Sequence, residues 1–211
     1  MYDRKDAYYR QAKKEGYRSR AAYKLAQIAA KEKAILPGYR VIDAGAAPGG
    51  WSQVLLATVG MTGKVAAVDL LPMPPLPGEN FRFWRRDLTD PALPPELLEF
   101  LGGQADAVVS DAAPNTTGST FTDQARSADL VRAVFRLARE TLRGGGTFLA
   151  KIFGGAEADA VFGELKPFFR ELRRLRPEAT RRESFELYIL GKGFKPGNPA
   201  PSGPSPPGNT R

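Results

Sequence analysis

The chain has 211 residues, 42% hydrophobic and 26% charged, a length and balance that fit one globular unit and exclude a fibre or a wholly disordered chain. With neither Cys nor His, disulfides, thiolate nucleophiles, Cys-ligated zinc and imidazole bases are excluded, so any catalysis must run on Asp, Glu, Lys, Tyr or Ser. The net charge of +8 is segregated, with +7 in residues 1–40, −5 in 41–165 and +5 in 166–195, which suits a polyanionic partner such as nucleic acid better than it suits merely solvated faces. No apolar run approaches the roughly 20 residues of a membrane span, and the charged N-terminus lacks a signal-peptide core. A cytoplasmic protein without a membrane partner is expected.

Taken in chain order, residues 20–33 after Ser19 (RAAYKLAQIAAKEK) read as a helix. Ser19 is its expected N-cap, Ala21, Leu25 and Ile28 its apolar face, and its basic side chains are expected on the other face. Short apolar runs then alternate with helical stretches. Strands are predicted at 40–44, 64–70, 81–87, 106–111, 146–153 and 184–190, and helices at 50–58, 93–101, 123–142 and 156–169, the third ending at Gly144-Gly145-Gly146. Such alternation predicts a single doubly wound, mostly parallel α/β sheet of Rossmann-like type with helices on both faces. Phe83, Trp84, Phe168 and Phe169 are expected in its core. Residues 1–39 form a basic helical segment, 40–194 the main domain, and 195–211, rich in Pro, Gly and Ser, a tail predicted to be disordered.

Ligands of open α/β sheets bind beyond the carboxyl ends of the strands. The first strand there runs into Asp43-Ala-Gly45-Ala-Ala-Pro48-Gly49-Gly50-Trp51, a small-residue turn that lets backbone approach a ligand closely. Ala47 breaks the GxGxxG spacing and argues against a dinucleotide pyrophosphate site, hence against a Rossmann oxidoreductase. Asp69 closes the second strand, where a carboxylate either takes ribose hydroxyls or caps local backbone. Together, turn and acid point to a nucleoside-containing cofactor. Asp43 either holds the turn or touches that cofactor, Trp51 is either a cofactor contact or a core anchor, and Asn115 either lines an acceptor pocket or satisfies backbone groups.

The segments SRAAYKL, DAGAAPGGWSQ, AVDLLPM, SDAAPNTTG, LAKIF and RRESFELYI, in this order over about residues 5–193, resemble the FtsJ/RrmJ (RlmE) family of S-adenosylmethionine-dependent RNA 2′-O-methyltransferases. The resemblance implies cofactor binding by Gly45, Pro48, Gly49, Trp51, Asp69, Leu70, Asp87 and Asp111. It also implies a catalytic Lys-Asp-Lys-Glu tetrad at Lys24, Asp111, Lys151 and Glu186, and no metal. The implied substrate is a uridine of large-subunit (23S) ribosomal RNA, met as free RNA or in the large subunit, with transfer RNA as the alternative within the family; a cap methyltransferase would need a further cap-binding domain. A non-catalytic RNA-binding module would explain the charged ends but not the tetrad. The segment Leu70–Pro77 departs from the family pattern in its proline content.

The chemistry of these residue types agrees with that implication. A ribose 2′-OH is a poor nucleophile until deprotonated, and without His an amine is the available base. Lys titrates near 10.4 in water, so Lys151 is expected to need burial or a neighbouring cation such as Lys24 to lose its proton. Asp111 and Glu186 would orient the two amines. The bland alternative is a strand-end Lys151 that merely pairs with Asp111. Arg18, Arg20, Arg173 and Arg174 are the expected phosphate contacts, with Arg176, Arg181 and Arg182 either joining them or forming a solvated run. A monomer is expected.

Overall fold

The computed structural model describes residues 10–180 and 184–197. Residues 1–9 of the basic N-terminal segment, Arg181 and Arg182, and residues 198–211 of the tail predicted from 195 lie outside the described residues. Residues 10–14 are helical. The elements that follow are α1 (Ala22–Glu32), β1 (Arg40–Ala44), α2 (Gly50–Val59), β2 (Lys64–Asp69), β3 (Phe81–Arg85), α3 (Leu93–Leu101), β4 (Ala105–Ser110), α4 (Thr120–Thr141), β5 (Leu142–Phe153), α5 (Ala156–Leu165), β6 (Phe169–Leu175) and β7 (Glu186–Phe194).

The seven strands form one sheet in the order β3-β2-β1-β4-β5-β7-β6. Strands β1 to β5 run parallel, whereas β7 is antiparallel to both β5 and β6. The doubly wound, mostly parallel expectation therefore holds, and the order reverses between β1 and β4, the switch point at which such sheets bind ligands.

Strand alternation divides the core into two layers. Ile42, Ala66, Val108, Phe148 and Ile189 pack with α3, α4 and α5 on one face. Val41, Val65, Val109, Leu149 and Tyr188 pack with α1 and α2 on the other. The N-terminal helix is thus part of the main core: Ala22, Leu25 and Ile28 are buried, and so is Lys24, which lies on the buried side and not among the outward basic residues. Trp84, Phe168 and Phe169 are buried as expected, while Phe83 is only partly covered.

Several boundaries differ from the sequence reading, β7 running over 186–194 where 184–190 was predicted. Helix α1 begins after Ala21 with no side-chain cap. Ser19 instead lies against Gly50, where an added Cβ would come within 2.3 Å of its Oγ, so this serine lets the N-terminal segment rest on the glycine turn. Helix α4 begins three residues before the predicted start at 123, because Ser119 Oγ accepts from the Thr122 amide. The glycine run 144–146 lies inside β5, where the register with β4 slips between Ala105 and Ala107. The predicted helix 156–169 ends at Leu165, followed by a 3-10 turn and the unanticipated strand β6. Its apolar residues at 169, 172 and 175 recur every third position, which hides an edge strand studded with Arg and Glu.

Phe148 is fully buried and its ring meets those of Phe135 and Phe169. Phe148→Ala is therefore expected to lower unfolding free energy by about 3–5 kcal/mol in denaturant titration.

Candidate active site

Beyond the ends of β1, β2 and β4 lies a cleft of about 700 Å³, walled by Gly45, Ala47, Asp69, Leu70, Asp87 and residues 111–115. Gly45 has φ +78, and a Cβ there would lie 2.3 Å from the Ala112 Cβ. Only glycine lets the loops after β1 and β4 approach this closely. Gly49, with φ +106, sits under the Arg18 guanidinium and Met73. Asp69 caps local backbone, its Oδ2 accepting from the Ala47 amide and its Oδ1 from the Leu71 amide, both at 2.8 Å, and it also lines the cleft. Asp87 Oδ1 accepts from the Thr89 amide and hydroxyl, which hold its carboxyl below the usual range. Leu70 is 62% exposed at the cleft rim.

Asp43 lies beneath the turn with no solvent exposure. Its Oδ2 accepts from Ser52 Oγ at 2.6 Å, tying the end of β1 to α2, while Oδ1 has no hydrogen-bond partner among the described residues. Burial pushes its carboxyl up to about 7 against the hydrogen bond from Ser52, and the nearby Asp111 and Asp69 add to the rise. Pro48 and Trp51 line a smaller hollow of about 160 Å³ with Ser19, Gly45 and Asp111. Trp51 is also a core anchor: its Nε1 donates to the Ala21 carbonyl at 2.9 Å and its ring stacks on Tyr188.

Asp111, which lines this hollow, is also one of four tetrad positions that converge. Asp111 follows β4, Lys151 lies near the end of β5 and Glu186 opens β7, all on the face covered by α1, from which Lys24 reaches down. Lys24 Nζ meets Glu186 Oε2 at 2.7 Å. Lys151 Nζ donates to the Asp111 carbonyl at 2.6 Å and lies 3.2 Å from Asp111 Oδ1. Each amine is thus paired with a carboxylate, and both lysines are buried. Burial would raise the Glu186 carboxyl, but the hydrogen bond and charge of Lys24, with the charge of Lys151, hold it below its ordinary value.

Tyr188, to which the sequence reading gave no role, completes the cluster. Its hydroxyl donates to Asp111 Oδ1 at 2.6 Å, and Lys24 Nζ lies 5.8 Å from its ring centre. Burial, then the charge of Asp111, raises the phenol well above its usual range, so it stays protonated as a donor. The signal was available: residues 186 and 188 share a strand face, and Tyr188 stands directly opposite Lys151 in the β5–β7 register.

The expected phosphate contacts have partners within the protein. Arg18 donates to the carbonyls of Pro74 at 2.6 Å, Pro75 at 2.8 Å and Pro48 at 3.4 Å, clipping the proline-rich loop to the glycine turn. It therefore belongs to the framework of the cleft. The charge of Arg20 acts on Tyr188. Arg173 pairs with Glu32 of α1 and Glu171, whereas Arg174 pairs with Asp159 and stacks on Phe162 of α5. As neighbours in a strand the two point to opposite faces and cannot form one patch. The Asn115 carbonyl accepts from Arg126, and the residue lines the cleft.

A glycine turn at the switch point, acids at the following strand ends and a cleft beyond them define the class: an open, mostly parallel α/β protein with its cleft at the carboxyl ends of the strands. The sequence model of the FtsJ-like methyltransferase family matches residues 17–194. The chain belongs to this family. It is 50% identical over 192 residues to the ribosomal RNA large subunit methyltransferase E of Methanothermobacter thermautotrophicus, covering 91% of each chain. It is 48% identical over 195 residues to the protein of that name from Archaeoglobus fulgidus, covering 92% of this chain and 99% of the relative. Among solved structures, a Plasmodium falciparum protein described as a ribosomal RNA methyltransferase superimposes with a TM-score of 0.75 at 27% identity, over 84% of this chain and 98% of the other.

Two expectations test the framework. Arg18→Ala should weaken binding of the cleft ligand in calorimetry, because it releases the loop that carries Pro74 and Pro75. Asp43→Asn should be more stable than the parent at pH 8, with the advantage shrinking at pH 5. The parent takes up a proton at Asp43 on folding between its ordinary range and about 7, so its stability falls as pH rises through that window. Melting temperatures at the two pH values provide the check.

Proposed function

We propose that the chain transfers a methyl group from S-adenosylmethionine to a ribose 2′-hydroxyl of large-subunit ribosomal RNA. The observation that carries this reading is the pair of buried lysine–carboxylate contacts, Lys24–Glu186 and Lys151–Asp111, gathered around Tyr188 beside the cleft. The relatives' shared name supplies the class of RNA.

The cleft residues suit the cofactor. Asp69 and Asp87 keep lone pairs for ribose hydroxyls after accepting from backbone amides, Gly45 and Ala112 leave backbone open to close approach, and Leu70 offers apolar cover. When bound, the cofactor supplies a methyl group already activated on a sulfonium.

What remains for the protein is to align the acceptor and take its proton. Lys151 Nζ, as the uncharged amine, receives the proton of the 2′-hydroxyl, and the ammonium so formed is the charge that Asp111 balances. Asp111 holds Lys151 through both its carbonyl and its carboxylate, and Tyr188 fixes that carboxylate by donating to it. The Lys24–Glu186 pair bounds the other side of the acceptor position and keeps the cluster near electrical neutrality.

Lys151→Ala is expected to lower turnover by about 10²–10⁴-fold while leaving calorimetric affinity for S-adenosylmethionine or its demethylated product nearly intact. Asp69→Ala should weaken that affinity, and NAD should not bind. Retention of more than about a tenth of turnover by Lys151→Ala would remove the lysine from the proton-accepting role. RNA with 2′-deoxyribose at the target should be inert.

A further inference from the structure

A second hollow, of about 300 Å³, opens on the other side of the loop that follows Asp111. Residues 111–115 of that loop line the cofactor cleft, whereas Thr116 and Gly118 line this hollow. Glu186 is common to the hollow and the catalytic cluster.

Its walls are preformed. Asp123 at the start of α4 accepts from the Thr117 amide and hydroxyl and from the Gly118 amide, fixing the loop. Gln124 Nε2 donates to the Gly154 carbonyl, and the Gly154 amide donates to the Phe185 carbonyl, both at 2.7 Å. With its backbone held in this way, Phe185 still leaves its side chain 68% exposed at the edge of the hollow. The ring thus leaves an uncovered aromatic face at the hollow, where Phe153 supplies a second aromatic lining residue.

The lining chemistry selects the ligand. Among the described residues the lining includes no Lys or Arg. Its two carboxylates are engaged, Asp123 by the loop and Glu186 by Lys24. What it offers is a pair of aromatic side chains, Phe153 and Phe185, with neutral hydrogen-bonding groups on Thr116, Thr120, Gln124 and Ser184. Aromatic faces with neutral donors and acceptors are the means by which proteins hold an unstacked nucleobase.

We infer that this hollow holds the base of the nucleotide being methylated, stacked on Phe185. The inference rests on the proposed function and extends it to the acceptor's base. The connection is covalent geometry: the 2′-hydroxyl and the base are borne by adjacent ribose carbons. A ribose whose hydroxyl sits among Lys151, Asp111 and Glu186 therefore carries its base within reach of a hollow that shares Glu186. The base must leave its helical stack to enter, so an unpaired or readily opened nucleotide is the substrate.

The test is a cycle of two changes, Phe185→Ala in the protein and removal of the base, with the ribose kept, from the target nucleotide of a synthetic RNA that the wild-type protein methylates. Each change alone should lower kcat/KM by roughly 5- to 150-fold, the range of one base–aromatic stack. Together they should cost little more than either, because both remove the same contact. Phe185→Tyr should retain activity, and affinity for the demethylated cofactor should be the same in all variants. Losses that multiply, or a Phe185→Ala protein indistinguishable from wild type, would overturn the assignment. A wild type that methylates no intact RNA would instead remove the function beneath it, and with it the inference; the two failures are told apart by the wild-type reaction alone.

Discussion

The register between β5 and β7 is the constraint on which the site depends. Because β7 is inserted antiparallel between β5 and β6, Lys151 faces Tyr188 and Phe153 faces Glu186 across the ladder. A slip of one residue would turn Tyr188 and Glu186 to the α4 side and leave Lys151 buried without its neighbours. The register is held by Leu149, Tyr188 and Leu190 packing beneath α1 and α2, and by Phe148 and Ile189 on the other face. Hydrophobic sorting of alternate residues thus places the polar cluster, although none of its four charged members contributes to that sorting.

Two amines this buried require opposite charges, since an unpaired buried ammonium is strongly disfavoured. Lys24 with Glu186 and Lys151 with Asp111 meet that requirement. Tyr188 adds a neutral donor that orders Asp111 without adding charge. The cluster also explains why the N-terminal helix cannot be a loose appendage. Lys24 reaches Glu186 only because Ala22, Leu25 and Ile28 lock α1 into the core, and because Trp51 and Gln53 of α2 bind the segment just before it. Gln53 accepts from the Arg18 amide and donates to the Gly16 carbonyl, and Arg18 then carries the connection on to the proline-rich loop.

Much of this was legible in the sequence where local pattern and tertiary demand coincide. Alternating strands and helices gave the sheet, the small-residue turn gave its ligand end, and the four charged positions come together as the family resemblance implied. Features governed by long-range partners were not legible. Strand β6 carries its apolar residues at a helical spacing and exists because β7 supplies its hydrogen bonds. Arg18 reads as a phosphate contact until Pro74 and Pro75 are seen beside it; a proline-rich loop has carbonyls to offer and few amides to pair them internally. Tyr188 was legible in principle, since its parity with Glu186 required only the period of a strand.

The charge segregation takes on a different meaning in three dimensions. Arginines 173 and 174 lie on opposite faces of an edge strand and are matched by Glu32, Glu171 and Asp159, so the positive balance of residues 166–195 does not become one surface among the described residues. By contrast, Lys13, Lys14, Lys31 and Lys33 are exposed on the N-terminal segment, whose helix α1 also delivers Lys24 to the cluster. An RNA drawn to these lysines would approach over the same face of the sheet that bears Asp111, Lys151 and Glu186. Electrostatic attraction of the backbone and placement of the acceptor ribose would then be two functions of one N-terminal segment, with phosphate contacts setting position and the pocket setting which nucleotide enters.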